Sequence, residues 1–384
     1  MNSMCNILDL GITIRLLITT CFRVLISKEH LRLCNILCGP PFTPTMLVTT
    51  TRLITNPLLV GPALFLATRG PSQVRDYLRQ LGLQPQVIST LSVLLGVGIA
   101  RTANSVLNFF AFRNWQWQQS EAPWDFPNET AVVTGGSGGI AFHTIRKLRQ
   151  LGIKVAILDI VPPSEEFEKD NGVNFYQCDL TSSDAVKDVA VKVTDEMCKP
   201  TILINNAGII KWSHFITEAT QQDLERMFQV NTLSHYYTVQ AFLPGMITMK
   251  KGHVVTVASM ASYRSPAGLI PYASTKAAAL TFHEGLRAEL ISHSNAPFVA
   301  TTSIHPTLVQ TNMTKALGDT AWNAMITPES VAEEIVGAVK SGHGGQILVP
   351  RDTFSLIVGS IQRAMPPWFN MYMNTRRARP AGKS

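Results

Sequence analysis

The chain has 384 residues, 46% of them hydrophobic and only 15% charged, with a mean hydropathy of +0.13. That length fits one large domain with an extension, and the composition excludes a disulfide miniprotein and a disordered chain while leaning toward lipid contact. Net charge is +7, but residues 1–120 carry 10 Lys/Arg against 3 Asp/Glu whereas residues 121–384 carry 23 of each. The neutral remainder has no field to attract nucleic acid, and the basic, apolar first third suits an anionic lipid surface. Six cysteines show no C-x-x-C spacing and read as reduced, cytosol-facing thiols.

In chain order, residues 11–27 are apolar but broken by Arg15 and Arg23, a pattern for an interfacial helix rather than a span. Residues 53–68 are uncharged but contain Pro57 and Pro62, too short and too kinked for a crossing. From Gln80 to Ala100 no charge occurs, and apolar character resumes beyond Arg101, so a helix over about 86–108 is long enough to cross or dip deeply into a bilayer. A buried helical hairpin of a soluble accessory domain is the competing reading. Trp115, Trp117 and Trp124 follow, either as an interfacial belt or as simple packing. We therefore divide the chain into a hydrophobic basic extension and membrane anchor (1–120), a catalytic domain (121–350) and an apolar C-terminal segment with a basic tail (351–384).

From Thr130 onward, apolar runs of four to six residues (AVVT, KVAILD, TILIN, HVVTVAS, FVATTSI, QILVP) alternate with longer helical patterns. Runs apolar on both faces and separated by helices predict a doubly wound α/β domain of the Rossmann type, its parallel sheet covered on both sides. Directly after AVVT comes Gly135-Gly-Ser137-Gly-Gly139-Ile140, then a helical stretch. Glycines allow the sharp turn and let a pyrophosphate approach the amides of a helix N-terminus. The next strand ends in Asp159, where a carboxylate accepts hydrogen bonds from an adenosine ribose and repels a 2′-phosphate. A cap on the following loop is the plainer role for Asp159.

At this point the sequence resembles the short-chain dehydrogenase/reductase family, through Thr134-Gly-x-x-x-Gly139-Ile-Ala141, Asn205-Asn206-Ala207-Gly208, Asn231, Ser259 and Tyr272-x-x-x-Lys276, over about residues 128–350. Ala141 stands where the family's last turn glycine usually lies. The chemistry also follows from the residues. Tyr272 and Lys276 share one helix face, and an adjacent ammonium is expected to lower the pKa of a phenol that ordinarily titrates near 10. Ser259, at the end of HVVTVAS, offers a hydroxyl to the substrate oxygen while hydride moves at carbon. Alone, such a serine is usually a helix cap.

The resemblance further implies that Asn231 holds a water linking Lys276 to solvent. It also implies that Asn206, Gly208 and Asp179 support the adenosine side of the cofactor, and that Thr311 contacts its nicotinamide end, with Tyr272 and Lys276 touching it as well. In His305-Pro306-Thr307, Thr307 replaces the family's usual glycine, so the backbone there is expected to differ. No metal is expected. Met313, Leu317, Trp322, Met325 and Ile326 suggest a lipophilic substrate pocket.

The C-terminal apolar piece, with Arg376, Arg377, Arg379 and Lys383, suits a membrane surface or a homodimer contact. Within the family the chain looks most like the membrane-associated retinol and 17-beta-hydroxysteroid dehydrogenase branch. The expectation is an enzyme that uses NAD rather than NADP on a lipophilic alcohol, ketone or aldehyde, membrane-associated at the endoplasmic reticulum or a lipid droplet with the catalytic domain facing the cytosol. A soluble biosynthetic ketoreductase and a catalytically idle NAD-binding scaffold are the alternatives.

Overall fold

The computed structural model describes residues 53–113, 122–211, 215–318, 323, 325–351, 364–368 and 370–371, all within one compact unit spanning Thr51–Ser384. The expectations for residues 11–27, Trp115, Trp117, Trp322 and the basic tail lie outside the described residues.

Three helices come first. Helix α1 (Pro57–Thr68) tolerates Pro62 in its interior and begins at Asn56, whose side chain accepts from the Leu58 amide at 3.0 Å. The stretch set aside above as too short to cross is thus a 12-residue helix with Pro62 inside it. The polar helix α2 (Ser72–Gln80) links it to α3 (Gln84–Phe112), longer than expected from the sequence at 29 residues, or about 43 Å. Helix α3 buries only Gly98. A Cβ there would lie 2.1 Å from the Thr55 carbonyl oxygen, so only glycine permits this approach of α3 to the start of α1. At its other end, the Arg287 guanidinium donates to the Ala111 carbonyl and stacks over Phe112, 4.5 Å from the ring centroid.

The remainder is a seven-stranded parallel sheet: β1 (Thr130–Thr134), β2 (Lys154–Asp159), β3 (Val173–Gln177), β4 (Ile202–Asn205), β5 (Gly252–Val257), β6 (Val299–Pro306) and β7 (Gly345–Val349), in the order β3-β2-β1-β4-β5-β6-β7. Between them run α4 (Gly139–Gln150), α5 (Glu165–Glu168), α6 (Ser183–Met197), α7 (Gln221–Phe228), α8 (Ser234–Thr248), α9 (Ile270–Ser292) and α10 (Pro328–Ser341). The expected doubly wound fold is present.

Alternate residues of each strand feed two cores, because successive side chains leave opposite faces. Val132, Leu203 and Val254 pack with Val189 and Val193 of α6, Phe242 of α8 and Leu286 of α9. Val133, Ile204 and Val255 pack with Ile145 and Leu148 of α4 and Ile335 and Val339 of α10. The strand order reverses direction at β1 and β4, which pair in parallel with Val132 opposite Leu203. In such sheets ligands bind beyond the carboxyl ends of the strands at this switch point.

Candidate active site

A cleft of about 1700 Å³ opens at that switch point, lined by Gly135, Ser137, Gly139, Ile140, Asp159, Asp179, Asn206, Gly208, Ser259, Tyr272, Lys276 and Thr311. Asn231 lies behind it, fully buried. Residues from six connecting segments therefore meet, although the sequence spreads them over 177 positions from Gly135 to Thr311.

The glycine turn is shaped by close approach. Gly135 has φ +65°, and a Cβ on it would sit 2.8 Å from Ala207 Cα, so the turn lies directly on the segment that follows β4. That segment is pinned in return, as the Asn206 and Ala207 amides donate to Thr134 Oγ1 at 3.0 and 3.1 Å. Asn206 Nδ2 donates to the carbonyls of Thr134 and Gly135, both at 3.2 Å. Gly139 has φ +57°, and a Cβ there would lie 3.3 Å from Thr311 Cγ2, which places Thr311 over the turn. Helix α4 then starts with no side-chain cap and no acidic residue in its first turn. Uncapped amides and the positive end of the helix dipole favour an anion there.

Asp159 has the loop-cap role weighed for it and also holds the glycine turn. Its Oδ1 accepts from the Ile160 and Val161 amides at 2.7 and 3.2 Å, the loop-cap role, and Oδ2 accepts from Ser137 N at 3.0 Å. A carboxylate offers about four lone-pair positions, so one on Oδ2 is left to face the cleft. Asp179 accepts from the amide and hydroxyl of Thr181 at 3.0 and 2.8 Å and borders the same end of the cleft. Arg146 and Arg149 turn away, toward Glu166 at 3.4 Å and Asp170 at 2.8 Å.

At the other end, Tyr272 and Lys276 sit in the first two turns of α9, with Lys276 Nζ 5.9 Å from the Tyr272 ring centroid. Lys276 is buried, donates to the Val257 carbonyl at 2.9 Å, and is pushed down to about 8 by burial. Burial likewise raises the Tyr272 phenol above its ordinary value, with a hydrogen bond to Ser259 acting the other way. The expected lowering of the phenol by its lysine is not what the structure displays: removal from water dominates, and what opposes it is the Ser259 hydrogen bond. Ser259 Oγ also accepts from the Ala261 amide at 3.1 Å, capping a short 3₁₀ turn (Met260–Ser262) as the plainer reading anticipated.

Asn231 lies in a π-helical turn (Gln229–Leu233) rather than in regular helix, a distortion that often marks functional positions. Its Oδ1 accepts from Ile209 N at 2.7 Å, and its Nδ2 donates to Ile209 O at 2.9 Å and Thr275 Oγ1 at 3.1 Å. A Cβ on Gly208 would lie 3.4 Å from Lys276 Nζ and 3.5 Å from Asn231 Oδ1, so Gly208 keeps open the space where lysine and asparagine meet. Thr307 adopts no positive φ and donates its amide to Val349 O at 2.9 Å, so the β-branched residue is accommodated by ordinary backbone.

Sequence reasoning missed the hydroxyl of Thr134, the Thr275 partner of Asn231 and the buried His305. Adjacency to the glycine turn, to Lys276 and to Pro306 was the available signal. Ile209, Met260, Leu269, Leu308, Met313 and Leu317 give the outer cleft an apolar wall.

The family model for short chain dehydrogenase matches residues 129–322. The chain belongs to the short-chain dehydrogenase family. It is therefore an oxidoreductase on a fold that binds a nicotinamide dinucleotide. Dehydrogenase RED2 of Cochliobolus heterostrophus is 40% identical over 190 residues, which cover 50% of this chain and 71% of that protein. Estradiol 17-beta-dehydrogenase 11 of Homo sapiens is 31% identical over 247 residues, 63% of this chain and 80% of that one. Among solved structures, the ligand-free aldohexose dehydrogenase of Thermoplasma acidophilum superposes with a TM-score of 0.52 at 21% identity, covering 59% of this chain and 93% of that one, a likeness of fold.

Proposed function

We propose that this short-chain dehydrogenase interconverts a lipophilic alcohol and its carbonyl compound, with NAD(H) as cofactor and Ser259, Tyr272, Lys276 and Asn231 as its catalytic group. The observation that carries the reading is the convergence of these residues on the cleft that the glycine turn enters. The turn fits a dinucleotide: the uncapped start of α4 suits the pyrophosphate, and Asp159, Asp179, Asn206 and Gly208 border the adenosine side. Thr311 over the turn and Tyr272 and Lys276 opposite it border the nicotinamide side, with Ser137 and Ile140 completing the turn's surface.

When bound, the cofactor supplies or accepts the hydride. The chain's own residues manage the proton. Ser259 Oγ donates to the substrate oxygen and fixes its place, while the Tyr272 hydroxyl gives up its proton in reduction and recovers one in oxidation. Lys276, cationic below a pH of about 8, stabilises negative charge as it develops on the phenol oxygen. Asn231 bridges Ile209 and Thr275 behind the lysine, where a water linking Lys276 to solvent is expected.

Preference for NAD(H) is supported by the carboxylate of Asp159 and by the engagement of Arg146 and Arg149 elsewhere. A lipophilic substrate is supported by the apolar outer cleft and by relatives named as estradiol and 17-beta-hydroxysteroid dehydrogenases.

Membrane placement at the endoplasmic reticulum or a lipid droplet, with residues 1–120 as anchor and the catalytic domain in the cytosol, is supported by α3. Among the described residues it is the one helix long and apolar enough to cross a bilayer. Leu58, Phe65, Val93, Val97 and Ile99 on α1 and α3 are all more than half exposed. Arg69, Arg75 and Arg79 lie between the apolar stretches of α1 and α3, where anionic headgroups would meet them, while Arg101 lies within α3 and would have to snorkel. A homodimer through the C-terminal segment belongs to the same proposal.

The test is an activity screen of the detergent-solubilised full chain against estradiol, all-trans-retinol, 1-decanol and benzyl alcohol with each cofactor. Turnover of at least one lipophilic alcohol with NAD is expected. Cofactor binding without turnover on any alcohol or the matching carbonyl compounds would favour the idle scaffold. Full recovery of the chain from a detergent-free supernatant would favour the soluble ketoreductase.

A further inference from the structure

The ladder between β5 and β6 ends abruptly beside Ser259. Its last backbone bond runs from Ala258 N to Ile304 O at 2.8 Å. Two residues further along β6 stands Pro306, which has no N–H to continue the ladder. The Ser259 carbonyl, just beyond, accepts from the Ser262 amide at 2.9 Å inside the short 3₁₀ turn and has a second partner on β6, His305 Nδ1, 3.2 Å away. A carbonyl only accepts, so Nδ1 carries the hydrogen and Nε2 must accept, which matches its 3.0 Å contact with the Ser303 hydroxyl. His305 is completely buried, and its ring packs against Tyr263, centroids 4.9 Å apart, at the end of the 3₁₀ turn that Ser259 caps. Burial also holds the ring neutral, down to about 4, so its single N–H is committed to this carbonyl.

We infer that His305 is a positioning residue for Ser259: its Nδ1–H ties the Ser259 carbonyl to β6 beyond the point where Pro306 ends the ladder, and so fixes the backbone from which the Ser259 hydroxyl reaches the substrate oxygen. The inference rests on the proposed role of Ser259. It involves no contact with cofactor or substrate, so loss of the donor should slow the chemical step and leave cofactor binding unaffected. Histidine is not required as such. Asparagine places an amide N–H at the position of Nδ1, whereas glutamine places one near that of Nε2, too far along the side chain to serve.

The experiment compares His305→Asn, His305→Gln, His305→Leu and Ser259→Ala in the full chain. The readouts are kcat, the KM for NAD and the thermal midpoint, with whichever of the four alcohols above the wild type oxidises fastest. We expect kcat to fall about 10- to 100-fold in His305→Leu and His305→Gln, with KM for NAD within about twofold, and to return to within about threefold of wild type in His305→Asn. Should His305→Leu fail to fold, the asparagine and glutamine pair decides. Equal kcat for asparagine and glutamine, or wild-type kcat in His305→Leu, overturns the inference. Ser259→Ala separates the two failures. If it is slow while His305→Leu is fast, only the inference falls; if it turns over at the wild-type rate, the reading of Ser259 falls and takes the inference with it.

Discussion

Replacing Lys276 by methionine should make the cofactor-free protein more stable at neutral pH while destroying its activity. The lysine is buried and its pKa is pushed from 10.5 down to about 8, so at pH 7 the folded protein holds a cation in a place that disfavours it. A displacement of that size corresponds to about 3 kcal/mol against folding. Methionine nearly conserves the volume but leaves the Val257 carbonyl without the 2.9 Å bond from Nζ, a loss of about 1–2 kcal/mol. The net gain is about 1–2 kcal/mol, or roughly 2–8 °C in thermal midpoint for a domain of this size.

The sign of that difference depends on pH. The folded protein binds the Lys276 proton less tightly than the unfolded chain, so wild-type stability rises as pH climbs from about 8 toward 10.5, and the desolvation penalty has largely vanished by the upper end. Only the missing hydrogen bond then separates the two proteins, and the variant becomes the less stable one. Thermal unfolding of both proteins in detergent without cofactor, at pH 7 and pH 10, measures the difference. A Lys276→Met protein less stable than wild type at pH 7, or a difference that does not move with pH, would refute the reasoning.

Three further outcomes follow from the geometry. Because burial keeps the Tyr272 proton on the phenol, alcohol oxidation, which needs the phenolate, should accelerate as pH rises from 7 to 9.5, while carbonyl reduction, which needs the phenol, should not lose its proton donor over that range; initial rates in both directions check it. Asp159→Ser should erase or reverse a preference for NAD of about 10²-fold, since it removes the charge facing a 2′-phosphate, and kcat/KM with NADH and NADPH reads this directly. A wild-type preference for NADPH would overturn that assignment. A chain beginning at Trp124 should leave the membrane pellet at high salt yet keep its fold, as every strand and every residue of the catalytic group lies beyond that point; sedimentation and circular dichroism report the two properties.

Much of the sheet was legible because both-face burial demands continuous apolar runs, and the glycine turn and Tyr272/Lys276 were legible because short spacing encodes a shared turn or helix face. What escaped were relationships between distant segments. The bond from His305 to the Ser259 carbonyl spans 46 positions, and nothing local distinguishes that histidine from the buried His253, which meets Thr302 Oγ1 at 2.8 Å. The pKa values of Tyr272 and Lys276 also escaped, since helix spacing brings the two groups together but says nothing of how much water they lose. The π turn at Asn231 has no simple sequence signature either: QVNTL reads as ordinary helix, and the bulge depends on bonds to Ile209 and Thr275 from other elements. At Gly98, the requirement for glycine comes from Thr55, 43 residues away, and α3 taken alone reads as an apolar helix interrupted at Arg101, with nothing to single out Gly98.

The central claim is that Tyr272 transfers the proton that accompanies hydride transfer. It is tested most directly by mixing the NADH-loaded full chain with the ketone of its best alcohol and following a single turnover at 340 nm in wild type and Tyr272→Phe. The phenylalanine variant should bind NADH within about twofold of wild type and oxidise it about 10²–10⁴-fold more slowly. Retention of more than about a tenth of the wild-type rate would contradict the assignment of Tyr272 and, with it, the mechanism built on the cleft.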